Sequence, residues 1–407
     1  MSASNAATAP ALTTLVRANL AAQGAEQLAL AVAPLIAALH LQANAAQTAW
    51  LQATQTLPFL LLALPAGLLV DRVSRPRLMG WAEWLRAATL AALAGLWLHA
   101  QLSLGWLALL GALGACGTVA YSVAAPALVP ALVPPGGLTH ANRQLELSRS
   151  LALALGPMLA GLLYDRAGAG LVLGLACAMS AYAAARMGRL PDAPRAAGRA
   201  PSPWRMLGEG LQFVAGHVWL RPIVLTAVFF NTALFVLQGI YVVYAARHLA
   251  LSAAQIGLTL GLYGAGMVGG AWLAPALARR FAFGTLVASG PACAFGAALL
   301  LLASWAWPTL WLVAPAFVLF GTGPILWTIT TTSLRQVVTP AGMLGRVSAL
   351  ILTATYGARP LGAAIGALVA ARAGIDAALF VSAAGFAIQL GILWRSPVRR
   401  LAALPAP

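Results

Sequence analysis

The sequence predicts an all-α polytopic membrane protein, with twelve transmembrane helices in two pseudo-symmetric six-helix halves. Three observations carry this expectation. Apolar residues make up 61% of the 407 residues and charged residues 8%, whereas soluble domains are roughly 25% charged; the mean hydropathy is +0.86. Turn residues and charges cut the chain into apolar runs at 14–39, 48–70, 78–99, 104–128, 145–164, 168–188, 220–246, 254–278, 283–304, 309–334, 346–371 and 375–395. Each holds about 20 residues or a little more, enough to cross about 30 Å of hydrocarbon as a helix and too long for a barrel strand of about 9–11 residues. The third observation is a half-length repeat. "NRQLELSRSLALALGPMLAGLL" near 142 is echoed by "GRVSALILTATYGARPLGAAIGAL" near 345, and the displacement that carries Arg143 onto Arg346 also carries Pro157 onto Pro360. Duplicated bundles of this kind hold a binding site where the copies meet.

Taken in order, the first run keeps a polar stripe: Asn19, Gln23, Glu26 and Gln27 fall at i, i+4, i+7 and i+8, one face of a helix. An ionisable group at bilayer depth costs at least about 2.5 kcal/mol on insertion scales and is functional by default. Glu26 is therefore expected to face something wet, where proton uptake and release would be its chemistry. The run is too long for a signal peptide and lacks a basic leader, so it is expected to stay uncleaved. Between the second and third runs, "GLLVDRVSRPRLMG" packs Asp71, Arg72, Arg75 and Arg77 into seven residues. In the third run Glu83 and Arg86 stand three apart, a spacing that pairs them with each other or with the loop arginines as part of a gate. Tyr121 and Ser122 follow in the fourth run, and "GPMLAG", Gly156 to Gly161 with Pro157, in the fifth.

The first half is expected to span 1–187, a linker 188–219 and the second half 220–407. The linker begins with "GRLPDAPRAAGRAPSPWRM", rich in proline and arginine and without apolar period. It closes with a short amphipathic helix that puts Leu207, Leu211 and Val214 on one face, suited to lying on the membrane surface. Polar residues of the second half with access to a cavity are Asn231, Gln238 and Tyr241, then Trp327, Thr328 and Thr331. Arg359 precedes the helix-breaking Pro360; a permanent guanidinium there calls for an anionic substrate or a carboxylate such as Glu26. Gly264, Gly266 and Gly269 spell G-x-G-x-x-G, but inside an apolar run with no preceding strand. Close helix packing, through Gly257 with Gly261 and Gly266 with Gly270, accounts for them.

Charge placement sets orientation and excludes functions. All 24 basic residues are arginine. Alternating the loops puts all of them on one face except Arg166, Arg247 and Arg372, with Arg86 and Arg359 inside spans; the positive-inside rule then places both termini in the cytoplasm. The net charge of +16 thus reads as topology, not as a nucleic-acid footprint. Without lysine there is no P-loop G-x-x-x-x-G-K-[ST], hence no ATP motor of that type. Cys116, Cys177 and Cys293 stand singly, so neither disulfide nor metal spacing exists and no metal or cofactor is expected. The eight acids are scattered from Glu26 to Asp376, which supplies no catalytic cluster and argues against an enzyme.

Gly67, Asp71, Arg72, Arg75 and Arg77 match the G-x-x-x-D-R-x-x-R-x-R signature of the major facilitator superfamily. The chain resembles that family over nearly its whole length, in twelve spans, two halves and a central linker. "GEGLQFV" before span seven and "GRV" at the start of span eleven are similar to the bacterial branch of enterobactin exporters and macrolide efflux proteins. The resemblance implies that the first, fourth, seventh and tenth spans line a central cavity, with Glu26 at mid-depth. It implies that the loop aspartate, Asp71, meets the start of span eleven near Arg346 and locks one state, where a carboxylate at a helix N-terminus gains roughly 0.3–1 kcal/mol. "GPMLAG" is similar to the core of the family's antiporter motif, although Ala152 and Leu145 stand where its upstream glycines fall.

These readings together predict a monomeric exporter of a small amphiphilic compound, exchanging it for protons by alternating access in a bacterial inner membrane. Its partners would be the substrate, protons and the lipid bilayer. Import, uniport or lipid flipping would use the same scaffold; a receptor would bind without flux.

Overall fold

The structure is a computed structural model and describes residues 3–133, 138–191, 203–340 and 342–405; the side chains of 3–9, 63–64, 66–72, 126–127, 130–131, 139 and 203–204 lie outside the description. Eleven helices follow one another: α1 (Ala3–Leu35), prolonged by a π turn (Ile36–His40), α2 (Ala45–Arg72), α3 (Arg75–Leu98), α4 (Leu104–Leu132), α5 (Leu138–Met187), α6 (Pro203–Gly216), α7 (Leu220–Arg247), α8 (Ala253–Ala278), α9 (Phe283–Ala306), α10 (Leu310–Val338) and α11 (Leu344–Arg395). A 3₁₀ turn, Pro397–Arg400, ends the chain. No strand occurs among the described residues. Eight of the helices are long and apolar enough to cross a membrane.

Two helices are too long for one crossing. α5 has 50 residues and α11 has 52, about 75 Å and 78 Å if straight, more than twice the hydrocarbon thickness. Each breaks at one glycine, Gly168 with φ 74° and Gly374 with φ 91°, a left-handed conformation that costs a side-chain-bearing residue roughly 1–2 kcal/mol. Counting each as two spans and leaving α6 aside gives the twelve helices that the sequence predicts.

The repeat reappears in how helices begin. Asn44 and Gln47 exchange backbone-to-side-chain hydrogen bonds of 2.9 Å at the start of α2. Ser252 and Gln255 do the same at the start of α8, at 2.9 and 3.3 Å. Both are reciprocal capping boxes. α4 and α10 share a simpler device: Ser103 Oγ accepts from Trp106 N and Thr309 Oγ1 from Trp311 N.

The chain forms two compact units. The first comprises Met1–Ala43, Thr54–Ala200 and Ser252–Gly261. In it α1 packs chiefly on α5, and α3 on α4 and α5, around Leu15, Met79, Leu128 and Met187. The start of α8 lies on α5, where a side chain on Gly257 would meet Pro157 O and, at 3.0 Å, Gly161 Cα. The second unit comprises Asn44–Ala53, Pro201–Leu251 and Leu262–Pro407. There α11 packs on α7, α9 and α6, and α9 on α10, around Val287, Leu334, Leu393 and Val398. Gly266 packs on Val318 and Gly270 on Thr322 and Ile325, while Gly269 touches nothing; the glycine string in α8 serves helix contact.

The amphipathic linker helix exists as α6, with its buried face shifted from the expected one. Gly210 sits against Arg346 O and Leu350, and Val214 packs with Leu220 and Val347. Leu211 is 57% exposed, because the helix turns Gly210, the residue that lets backbones approach, toward α11. Just beyond, His217 Nδ1 accepts from Trp219 N and Leu220 N at 3.3 Å, capping α7. Burial lowers the His217 pKa from its ordinary 6.5. The neutral, capping ring therefore contributes stability that is fully present above pH 6.5 and is lost as pH falls through the lowered folded value. The protection of the first turn of α7 against hydrogen exchange, corrected for the intrinsic pH dependence of the amide rate, should fall at pH 5 relative to pH 7.5 in the native protein and not in His217→Asn, which caps without titrating. Equal pH response in both would exclude this role.

Candidate functional site

The polar stripe of α1 meets α3, α4 and the second stretch of α5 inside the first unit. Its centre is Arg86, whose side chain is 4% exposed. Arg86 Nη1 donates to Glu83 Oε1 at 2.7 Å and to Ala22 O at 3.2 Å. Arg86 Nη2 donates to Thr118 Oγ1 at 2.6 Å and lies 3.8 Å from Glu26 Oε2. Glu83 is fully buried and accepts a 2.5 Å hydrogen bond from Ser180 Oγ at its other oxygen. Glu26 is 18% exposed, the looser and wetter of the two acids. Above this layer Tyr121 OH donates to Asn19 Oδ1 at 2.7 Å, and Asn19 Nδ2 to Leu145 O.

Two carboxylates around one guanidinium leave the cluster with one net negative charge. Glu83 is fixed by charge-assisted hydrogen bonds, the strong kind. Glu26 touches Arg86 across a distance too long for a hydrogen bond. Such an arrangement sets Glu26 at the partly exposed edge of a buried, hydrogen-bonded Arg86–Glu83 pair.

The other expected residues are placed as follows. Gln23 and Gln27 are half-buried, and Gln27 lies over Gly156, which has no room for a side chain. Pro157 and Gly161 face Gly257 and the backbone of Ala253, so the "GPMLAG" stretch is a seat for α1 and α8. Ser122 bonds to Val119 O within its own helix, as do Asn231 to Ala227 O, Thr328 to Pro324 O and Thr331 to Trp327 O. Tyr241 is buried with its ring 4.6 Å from Phe317, and Trp327 packs over Gly290. Gln238 is half-buried on α7. The Arg359 guanidinium lies 4.5 Å from the Tyr356 ring and 5.5 Å from Phe235, cation–π distances. Gly67, Asp71 and Arg72 lie outside the described side chains; Arg75 is half-buried and Arg77 exposed.

Two acids that the sequence reading passed over make defined contacts. Asp165 Oδ1 accepts from Ala253 N at 3.1 Å and Oδ2 from Ala254 N at 2.8 Å, completing the cap of α8. Glu209 bridges Arg205 and Arg346, each at 2.8 Å. Glu209 precedes the α11-facing Gly210 by one residue, which was the available signal; for Asp165 only the nearby break at Gly168 pointed to a helix junction. Thr118 and Ser180, single hydroxyls in apolar runs, carried no distinguishing signal.

The profile described as the Major Facilitator Superfamily matches residues 18–363. The chain belongs to the major facilitator superfamily. Among solved structures, this superfamily member is similar to a bacterial homologue of the iron transporter ferroportin in its inward-facing state, at 18% identity and a TM-score of 0.75, covering 95% of this chain and 98% of that chain. It is also similar to the nucleoside transporter NupG, at 12% identity and TM-score 0.73 over 94% and 97% of the two chains. A third is a bacterial homologue of the human lysosomal transporter Spinster, inward-facing and unoccupied, at 13% identity and TM-score 0.68 over 98% of each. No curated protein matches the sequence. The superfamily fold makes the protein a multi-pass membrane transporter. At these identities the neighbours speak for the fold alone, and their different cargoes leave the substrate to be argued from this chain's own residues.

Proposed function

We propose that this protein exports a small, amphiphilic compound in exchange for protons, by alternating access. The single observation that supports this most is the buried Glu26–Arg86–Glu83 cluster, with one net negative charge and with Glu26 as its exposed member. Proton uptake on Glu26 neutralises the cluster, and a neutral cluster crosses between environments at lower cost than a charged one. One charge moving through 100 mV supplies about 2.3 kcal/mol, enough for roughly a fiftyfold gradient of a neutral solute. Within the second unit, Arg359 with Tyr356 and Phe235 is a cation flanked by aromatic faces that suits a partly apolar, partly anionic compound. Export is supported by "GPMLAG" and by the likeness of "GEGLQFV" and "GRV" to enterobactin and macrolide exporters. The protein works as a monomer in the bacterial inner membrane with both termini inside, a topology supported by its arginine asymmetry.

Everted vesicles test the reading. Candidate drugs or siderophores should accumulate inside and dissipate an imposed proton gradient; equal uptake without a gradient would point to a uniporter, and saturable binding without uptake to a receptor. In the same reading Asp71 belongs to the cytoplasmic gate. Asp71→Asn should raise the labelling of cysteines introduced on the cytoplasmic side of the cavity, and unchanged labelling would reduce Asp71 to a topology marker.

A further inference from the structure

Five arginines gather at the end of the second unit where the chain finishes, and the fold holds them in place. The tail after α11 does not trail away. Gly284 N donates to Leu401 O at 2.8 Å and Phe283 N to Ala402 O at 3.1 Å, so the tail carbonyls cap α9. Val398 is fully buried, and a side chain on Gly284 would strike Arg399 O. Arg399 and Arg400 are thereby pinned on the 3₁₀ turn beside α9, while Arg279 and Arg280 lead into the same helix from the other direction. The Arg399 guanidinium stacks 3.5 Å above the Trp394 ring, which orients its N–H edges and leaves them free for an acceptor. None of Arg279, Arg280, Arg395, Arg399 and Arg400 has a carboxylate partner among the described residues.

Directly below lies an open apolar groove of about 680 Å³ between α9 and the last turns of α11, lined by Phe295, Ile388, Gly391, Trp394 and Arg395. Its α11 wall runs from Arg395 at the helix end back to Ala387, about 12 Å of helix, with Phe295 facing it from α9. An exposed tryptophan marks the headgroup level. We propose that this groove and its arginine rim bind one anionic phospholipid, with the phosphate on Arg395 and Arg399 and an acyl chain along Ile388 and Phe295. The match is one of chemistry. Apolar walls accept the chain, an unpaired cationic rim accepts the headgroup, and the rigid tail makes the rim preorganised. A zwitterionic lipid would meet the same walls while presenting its own cation to the rim.

Native mass spectrometry of the purified full chain, titrated with dioleoyl phosphatidylglycerol or dioleoyl phosphatidylcholine, tests this. One phosphatidylglycerol should be retained about tenfold more tightly than phosphatidylcholine. Arg395→Ala with Arg399→Ala should weaken it by about fivefold per arginine removed. Gly391→Phe should displace the lipid with the rim intact; a Cβ at Gly391 meets nothing within 4 Å and the position lines the open groove, so this variant should remain folded and monodisperse. Equal retention of the two lipids, or selectivity unchanged in both variants, would overturn the proposal. Displacement of phosphatidylglycerol by millimolar inorganic phosphate would also overturn it, reducing the rim to a free-anion site.

Discussion

Glu26→Gln should abolish proton-coupled accumulation, taking a substrate gradient of roughly fiftyfold in energised everted vesicles down to about unity. Glutamine keeps the size and hydrogen-bonding capacity of the side chain and removes only its titration. The Arg86–Glu83 pair, at 2.7 Å, would stay in place as a neutral unit, so the cluster would be fixed in the form that proton uptake otherwise produces. The fold should be little affected, because glutamine is isosteric with glutamate and the side chain at this position is 18% exposed. Exchange of substrate down its own gradient should therefore survive while proton flux, followed with a pH-sensitive dye, disappears. A variant that still acidifies or alkalinises the vesicles in step with substrate would remove Glu26 as the carrier and with it the coupling assigned to this site.

The second large effect is on stability. Arg86→Ala strips the counter-ion from Glu83, whose side chain is fully buried and whose remaining support is the 2.5 Å bond from Ser180. Removing one partner of a buried pair typically costs about 3–5 kcal/mol, chiefly through the uncompensated charge left behind. This is a large part of the stability of a typical domain. Thermal unfolding in detergent, read by the loss of the monodisperse peak, should show Arg86→Ala as the least stable single variant of the cluster. Adding Glu83→Gln to Arg86→Ala should recover a substantial part of the loss, since the two residues share one hydrogen-bond network and their effects cannot add. Arg86→Ala as stable as the parent, or a double variant that only sums the two losses, would mean that Glu83 is held by its other contacts and needs no counter-ion.

The residues explain what could be read in advance. The fold was legible because membrane helices announce themselves by length and apolarity, and because the repeat placed Pro157 and Pro360 in register. Glu26, Glu83 and Arg86 were each visible as charges in apolar runs. That they form a single cluster was not, since the rotation of α3 is set by packing against its neighbours, such as Gly117 of α4 on Ala82 O, which no helical period encodes. Glu83 and Arg86 read as gate residues from their closeness to the loop arginines, while their described partners are Glu26, Thr118 and Ser180. Helix ends were hardest to read. Asp165 caps α8 across 88 residues of chain, and Glu209 reaches Arg346 from the linker; both are long-range contacts of residues that look like ordinary solvated charges in sequence.

The single-glycine breaks at Gly168 and Gly374 bear on biogenesis. Each joins its two long helical stretches through a short turn closed by one residue at positive φ, so the two crossings on either side are expected to enter the bilayer close together, as a hairpin. Reporter tags or protease sites inserted at these two points should therefore disturb assembly more than insertions at the longer described connection His99–Ser103.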